Sequence, residues 1–282
     1  MSSSDSDNDD TNSPPRFYEP DEVLQPSIHI GREHLPIAIR HGMELWWDGS
    51  TPTKRLDERE GSSQFTRFVN ARIEGKLAEV AFRDFLQEYF DLGSQVDWRI
   101  YGEYTQTDEG DLQHLTDDEG NTYSLGVDFD LKKTKPWNSW LAFRKEIFDK
   151  IDADAPIVLS KMRIENDIQV DDWKSTDVWD AVDKDEEFRN RLLEFADEEF
   201  PIEVELVGSV YKDEFTDEFK KGDRLYNPID GHQIGPPLKR PNAGIHVSHL
   251  DATAARWNRV LAEIVGDNPQ HIWRPLIIVD EV

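Results

Sequence analysis

The chain contains no cysteine among its 282 residues, which excludes disulfides, Cys-ligated zinc and a thiol nucleophile. No apolar run approaches the roughly 18 residues of a membrane-spanning helix, and the N-terminus is polar and acidic. We therefore expect a cytoplasmic protein with neither a membrane span nor a signal peptide. The chain also lacks a G-x-S-x-G elbow and any glycine-rich phosphate loop placed after a strand. Serine hydrolase chemistry and a nucleotide cofactor therefore have no support.

Basic residues are scarce relative to acidic ones. The chain has 32 Lys and Arg against 59 Asp and Glu, a formal net charge of −27. The acidic residues are spread along the chain, which is typical of a halophilic protein adapted to molar salt, where charges are screened within about 3 Å. A hydrophobic content of 37%, with nine Trp and 14 Phe, predicts a folded core.

The sequence divides into a disordered acidic tail, residues 1–26, and a single α/β domain, residues 27–282. Periodicity predicts a mixed central β-sheet flanked by helices, with a core at about 64–165 and a C-terminal elaboration at 166–282. The predicted core helices are 64–90 and 136–151, and the predicted core strands are 96–100, 125–134 and 155–160.

The segment from Gly126 to Lys135 alternates strictly in polarity as far as Lys132. Its apolar side chains, with Leu125, fall on one face of a strand, and Asp128, Asp130 and Lys132 fall on the other. Three of the 14 lysines of the chain lie at 132, 133 and 135. Carboxylates beside clustered lysines indicate a site that holds a hard cation such as Mg²⁺ and faces an anion.

Two further carboxylates extend this hypothesis. A polar turn at Asp117–Asn121 predicts a β-hairpin from Asp111 to Lys135, which would bring Asp111 close to Asp130. In the predicted helix 64–90, Glu79 belongs to one stripe with Arg72, Lys76 and Arg83. That stripe is either a row of exposed salt bridges or the place where Glu79 joins the carboxylates of the strand.

The order Glu79, Asp111, Asp130-Leu131-Lys132 resembles the PD-(D/E)xK nuclease superfamily, which includes most type II restriction endonucleases. The resemblance covers residues 64–165 and implies a restriction-endonuclease-like core. It also implies that Glu79, Asp111 and Asp130 bind Mg²⁺ and that Lys132 activates water. Gly110 replaces the proline of the family pattern, and Asp128 competes with Asp111 as the second acid.

The resemblance implies a Mg²⁺-dependent, restriction-type endonuclease that acts on double-stranded DNA as a homodimer. A repair or junction nuclease and a non-catalytic acidic DNA mimic or scaffold are the alternatives. Because net repulsion opposes DNA binding, contacts must come from local basic groups. The candidates are Lys133 and Lys135, together with Lys239, Arg240 and Asn242 in a Gly/Pro-rich loop at 222–245, which is otherwise a plain connector.

Overall fold

The computed structural model describes residues 18–47, 64–98, 112–117, 120–125, 127, 129–162, 202–228 and 230–265. Most of the predicted tail lies outside these ranges. So do two elements that the sequence predicts in the C-terminal elaboration, an amphipathic helix at 188–200 and a final strand at 276–279. Two proposed site residues, Asp111 and Asp128, also lie outside the described residues.

The described helices are α1 (His34–Trp47), α2 (Gln64–Phe90), α3 (Lys145–Phe148) and α4 (Ala254–Val265). The bounds of α2 agree with those predicted from its apolar periodicity. Its middle is buried on nearly every side, including Val69, Ile73 and Leu77. No described helix is long and apolar enough to cross a membrane.

The described strands are numbered in chain order: β1 (Ser27–Ile30), β2 (Gly93–Val96), β3 (Leu112–Thr116), β4 (Thr122–Tyr123), β5 (Asp130–Thr134), β6 (Trp140–Arg144), β7 (Ile157–Met162), β8 (Ile202–Val210), β9 (Asp217–Phe219), β10 (Leu225–Tyr226), β11 (Gln233–Ile234) and β12 (Asn242–His246). Four of them form a mixed sheet in the order β1-β8-β7-β5, which we call the main sheet. In it, β5 and β7 are parallel and the other pairs are antiparallel. The protein is therefore of mixed α/β class.

Three smaller sheets accompany the main one. Strands β6, β12 and β9 form an antiparallel sheet, which we call the second sheet, and β2-β3-β4 and β10-β11 form two further antiparallel sheets.

The main sheet separates two hydrophobic cores because its side chains alternate. Val158 and Met162 of β7 join the core that contains the buried faces of α1, α2 and α4. Ile157 and Leu159 join a second core with Leu141 and other residues of β6, α3 and β12. The main sheet thus lies between a helical layer and the second sheet.

Four predictions about local structure need correction. The predicted hairpin ends at β4, which pairs with β3, and β5 pairs instead with β7. The predicted helix 136–151 contains strand β6 and only the short α3, because Leu141 and Phe143 alternate into the second core. The strand predicted at 96–100 is β2, at 93–96. The connector at 222–245 contains β10, β11 and β12.

Candidate functional site

Asp130 and Lys132 lie together on β5, the last strand of the main sheet. The Lys132 ammonium contacts the Asp130 carboxylate, with the two side chains 39% and 29% exposed. The Lys132 ammonium also lies 5.7 Å from the centre of the Phe143 ring on β6, within cation–π range. Both groups are therefore fixed by packing yet remain accessible to solvent.

The parallel register with β7 shows which face of the sheet these groups occupy. Asp130 and Lys132 are aligned with Ile157 and Leu159, which point into the core shared with the second sheet. Leu131 is aligned with Val158 and packs against the helical core. The predicted alternation of polarity is therefore confirmed for β5, and the Asp-x-Lys pair faces away from α2.

Glu79 lies in α2, against the opposite face of the main sheet. It is only 8% exposed, and its carboxylate accepts a hydrogen bond of 2.7 Å from the ammonium of Lys76, which is also buried. The same ammonium donates to the backbone carbonyl of Asp97 at 2.6 Å. The helical stripe of Arg72, Lys76, Glu79 and Arg83 is therefore not a row of exposed salt bridges at Lys76 and Glu79, because both of these residues are buried. The Glu79–Lys76 pair instead attaches α2 to the chain that leaves β2.

A second ionic group, which periodicity did not reveal, joins α2 to β5. Glu74 is 7% exposed, and its carboxylate contacts the ammonium groups of both Lys133 and Lys135, the latter at 2.6 Å. Burial, and secondarily the nearby Lys135, lower the pKa of Lys133 to about 8. Both lysines proposed to bind DNA therefore already have a carboxylate partner.

The proposed four-residue site is thus brought together only in part. The structure places Asp130 next to Lys132 and leaves Glu79 on the other side of the main sheet. Within the described ranges, no three Asp, Glu, His or Cys side chains form a group that could hold a metal ion. Of the proposed metal ligands within the described ranges, Asp130 alone lies on the face of the main sheet that carries Lys132.

The three remaining DNA-binding candidates lie in or beside the second sheet. Lys239 is exposed, and Arg240 donates to the Glu146 carboxylate of α3 at 2.7 Å. Asn242 is half-buried in β12, where its backbone lies between Phe219 and Arg144 of the flanking strands. Arg240 is thus paired with α3 and Asn242 belongs to the central strand of the second sheet, so Lys239 is the most available of the three.

Fold and site together define a mixed α/β protein with an accessible Asp-x-Lys pair on its last main-sheet strand. Comparisons of the chain with known protein families, curated proteins and solved structures found no match.

Proposed function

We propose that the protein is a Mg²⁺-dependent endonuclease that hydrolyses DNA phosphodiester bonds at the face of β5 carrying Asp130 and Lys132. The observation that carries the proposal is the accessible carboxylate–ammonium pair on a strand parallel to β7. The order of elements adds support, because a long helix, antiparallel strands and then the Asp-x-Lys strand follow the restriction-endonuclease-like order that the sequence resembles.

The chemistry available at this face is specific. A hard cation can be held through one or two protein carboxylates together with substrate phosphate oxygens and water. The Asp130 carboxylate would supply the single protein ligand that is the minimum for such a site. When bound, Mg²⁺ would stabilise negative charge on the phosphate and acidify a water molecule. The Lys132 ammonium can orient the attacking water or neutralise charge on the phosphate oxygens. The contact between the Lys132 ammonium and the Asp130 carboxylate keeps the ammonium beside the proposed metal ligand.

This proposal assigns Glu79 a different role from the one the resemblance implies. Glu79 is hydrogen-bonded to Lys76 behind the main sheet and stabilises the packing of α2. The sequence offers two candidates for a second acid, Asp128, expected beside Asp130 from the alternation of polarity, and Asp111; both lie outside the described residues. A restriction-type role, a homodimer and a cytoplasmic setting at high salt belong to the same proposal.

One alternative has a specific observation in its favour. The separation of Glu79 from Asp130 and Lys132 fits a non-catalytic acidic protein, such as a DNA mimic or scaffold, in which the pairs on both faces stabilise the fold. Such a protein would show no metal-dependent hydrolysis at any salt concentration.

A plasmid digest separates the two functions. Supercoiled plasmid is incubated with the wild-type protein and Mg²⁺ in molar KCl, and products are resolved on a gel. We expect nicked or linear DNA with Mg²⁺ and intact plasmid with EDTA. The Asp130→Ala variant is digested in parallel and should leave the plasmid intact. Its matched control is Asp154→Ala, because Asp154 is an exposed aspartate in a turn before β7. Intact plasmid with every DNA and divalent cation tested would favour the non-catalytic alternative.

A further inference from the structure

Among the aromatic side chains whose burial the structure describes, two are exposed: Trp137, at 64%, and Tyr226, at 50%. Large aromatic side chains are highly buried on average, and exposed ones mark a contact surface when they form one patch and do not stand singly. The two residues lie 89 positions apart, in the turn after β5 and in β10. Their placement therefore depends on what connects these two segments.

Trp140 connects them. Its indole N–H donates to the backbone carbonyl of Tyr226 at 2.8 Å, and its ring packs edge-on against Phe219 at 5.2 Å. Trp137 precedes Trp140 by three residues, in a turn held by Asn138. The Asn138 backbone N–H donates to the Lys135 carbonyl at 2.9 Å, and its side-chain amide donates to Thr134 at 2.6 Å. The backbone segments that carry the two exposed rings are thus both attached to Trp140, which is half-buried.

Tyr226 belongs to a basic segment within an acidic protein. Residues 220–240, which we call the basic extension, contain five Lys or Arg and two Asp, a formal charge of +3 against −27 for the whole chain. All five basic side chains are exposed. The ammonium groups of Lys220, Lys221 and Lys239 form no ion pair with any residue that the structure describes. These cations are therefore available to an external anion.

The extension is also ordered by its own backbone. Gly222 donates to the Leu238 carbonyl and Leu238 donates to the Asp223 carbonyl, each at 2.8 Å, which closes its base. Beyond this base, Tyr226 pairs with Gln233 in the β10–β11 hairpin. Tyr226 is therefore held on a short hairpin, and Lys220, Lys221 and Lys239 lie directly beside the base of that hairpin. An ordered backbone lowers the cost of ordering on binding.

An aromatic side chain stacks on the face of a nucleobase, and that face is available only when the base is unpaired. In a duplex the bases are stacked on each other and present only their edges in the grooves. Surfaces that bind single strands combine basic groups for the phosphates with aromatic rings for the bases. The combination found here is therefore suited to single-stranded rather than intact duplex DNA.

We propose that Trp137 and the basic extension form a binding surface for single-stranded DNA, with Trp137 and Tyr226 stacking on unpaired bases and the lysines of the extension binding phosphates. The inference rests on the proposed function in that DNA is the substrate, and it narrows that substrate to DNA with a single-stranded stretch. It differs from the duplex substrate that the resemblance implies.

Fluorescence anisotropy tests the inference without cleavage. Fluorescein-labelled oligo(dT) and a duplex of equal length are titrated with the full chain in EDTA and molar KCl. We expect oligo(dT) to bind more tightly than the duplex, and Trp137→Ala to weaken oligo(dT) binding by about 5- to 150-fold, the range measured for loss of one stacked base. Trp137→Phe should restore most of the affinity because it keeps a ring.

Two further variants complete the design. Ile37→Ala removes another exposed apolar side chain, on α1, and should leave the affinity unchanged. Lys220→Gln combined with Lys221→Gln should reduce the slope of log affinity against log salt by about 1.4, because each single-strand phosphate contact contributes about 0.7. Circular dichroism checks that each variant is folded.

The possible outcomes separate this inference from the proposed function. Equal affinity for oligo(dT) and duplex, no binding by the wild-type protein, or folded Trp137→Ala and Tyr226→Ala variants that bind like wild type would each overturn the single-strand surface. Tight oligo(dT) binding by a protein that never cuts DNA would support the surface and contradict the nuclease. DNA cleavage by the wild-type protein, with unchanged oligo(dT) binding in both aromatic variants, would support the nuclease and contradict the single-strand surface.

Discussion

Glu74 is the residue whose replacement we expect to reveal most about the packing of α2 on β5. Its buried carboxylate contacts both Lys133 and Lys135, so Glu74→Gln leaves two neighbouring ammonium groups without their anion. Breaking a buried ion pair costs about 3–5 kcal/mol. Because the Lys135 side chain is 36% exposed, water recovers part of that cost. We therefore expect the free energy of unfolding to fall by about 2–4 kcal/mol at pH 7.

The cost of Glu74→Gln should depend on pH. The pKa of Lys133 is lowered from 10.5 to about 8 in the folded protein, so the folded state releases this proton before the unfolded state does. Near pH 10 Lys133 is already neutral in the folded wild type, and the mutation then removes mainly the contact with Lys135. We expect the loss of stability to shrink to about 1 kcal/mol there.

Urea unfolding followed by tryptophan fluorescence, at constant molar KCl and at pH 7 and pH 10, measures both values. The matched control is Glu44→Gln, which removes an exposed i,i+4 pair with Arg40 at 2.9 Å and should cost about 0.3–0.5 kcal/mol. A Glu74→Gln loss no larger than that of the control, or one that does not decrease at pH 10, would show that Glu74 does not stabilise the packing of α2 on β5 through Lys133 and Lys135.

Three further predictions concern stability. Because its folded pKa is lowered, Lys133 should make wild-type stability rise between pH 8 and 10.5, by at most about 3 kcal/mol; Lys133→Met should lack this rise in urea titrations. Glu79→Gln should cost about 3 kcal/mol in chemical denaturation by leaving buried Lys76 unpaired, yet keep cleavage per folded molecule; a stable but inactive variant would restore Glu79 to the active site. Gly208 has φ +141°, and an added Cβ would lie 2.8 Å from the Asp251 carbonyl oxygen. Gly208→Ala should therefore lower the melting temperature by several degrees, and an unchanged melting temperature would contradict this prediction.

Much of the core could be predicted from periodicity alone. The apolar spacing of α2 predicted its bounds, and the strand predicted at 155–160 is found as β7, Ile157–Met162. Helix α1 was not predicted, because Pro36 and short apolar pieces gave no clear helical period. The residues of β6 carried a readable alternation, but Pro136 suggested the start of a helix instead.

The position of Glu79 could have been inferred from two features considered together. A strand with one apolar face receives a buried helix on that face, so α2 had to cover the side of Leu131. Asp130 and Lys132 point to the other side by the same alternation, which places them away from any residue of α2. Tertiary pairing explains the remaining difference, since β5 pairs with β7 rather than returning along β3. No local pattern specifies that choice.

The most direct test of DNA hydrolysis at Asp130 and Lys132 is the rate of DNA cleavage in molar KCl with Mg²⁺. The rate is measured for wild type, Asp130→Ala, Lys132→Ala and the control Asp154→Ala. Substrates are supercoiled plasmid and a labelled oligonucleotide with a single-stranded stretch. We expect Mg²⁺-dependent cutting by wild type and Asp154→Ala, and a loss of at least about 100-fold in the folded Asp130→Ala and Lys132→Ala variants. Wild-type rates in both folded variants, or no cutting by the wild-type protein, would contradict it.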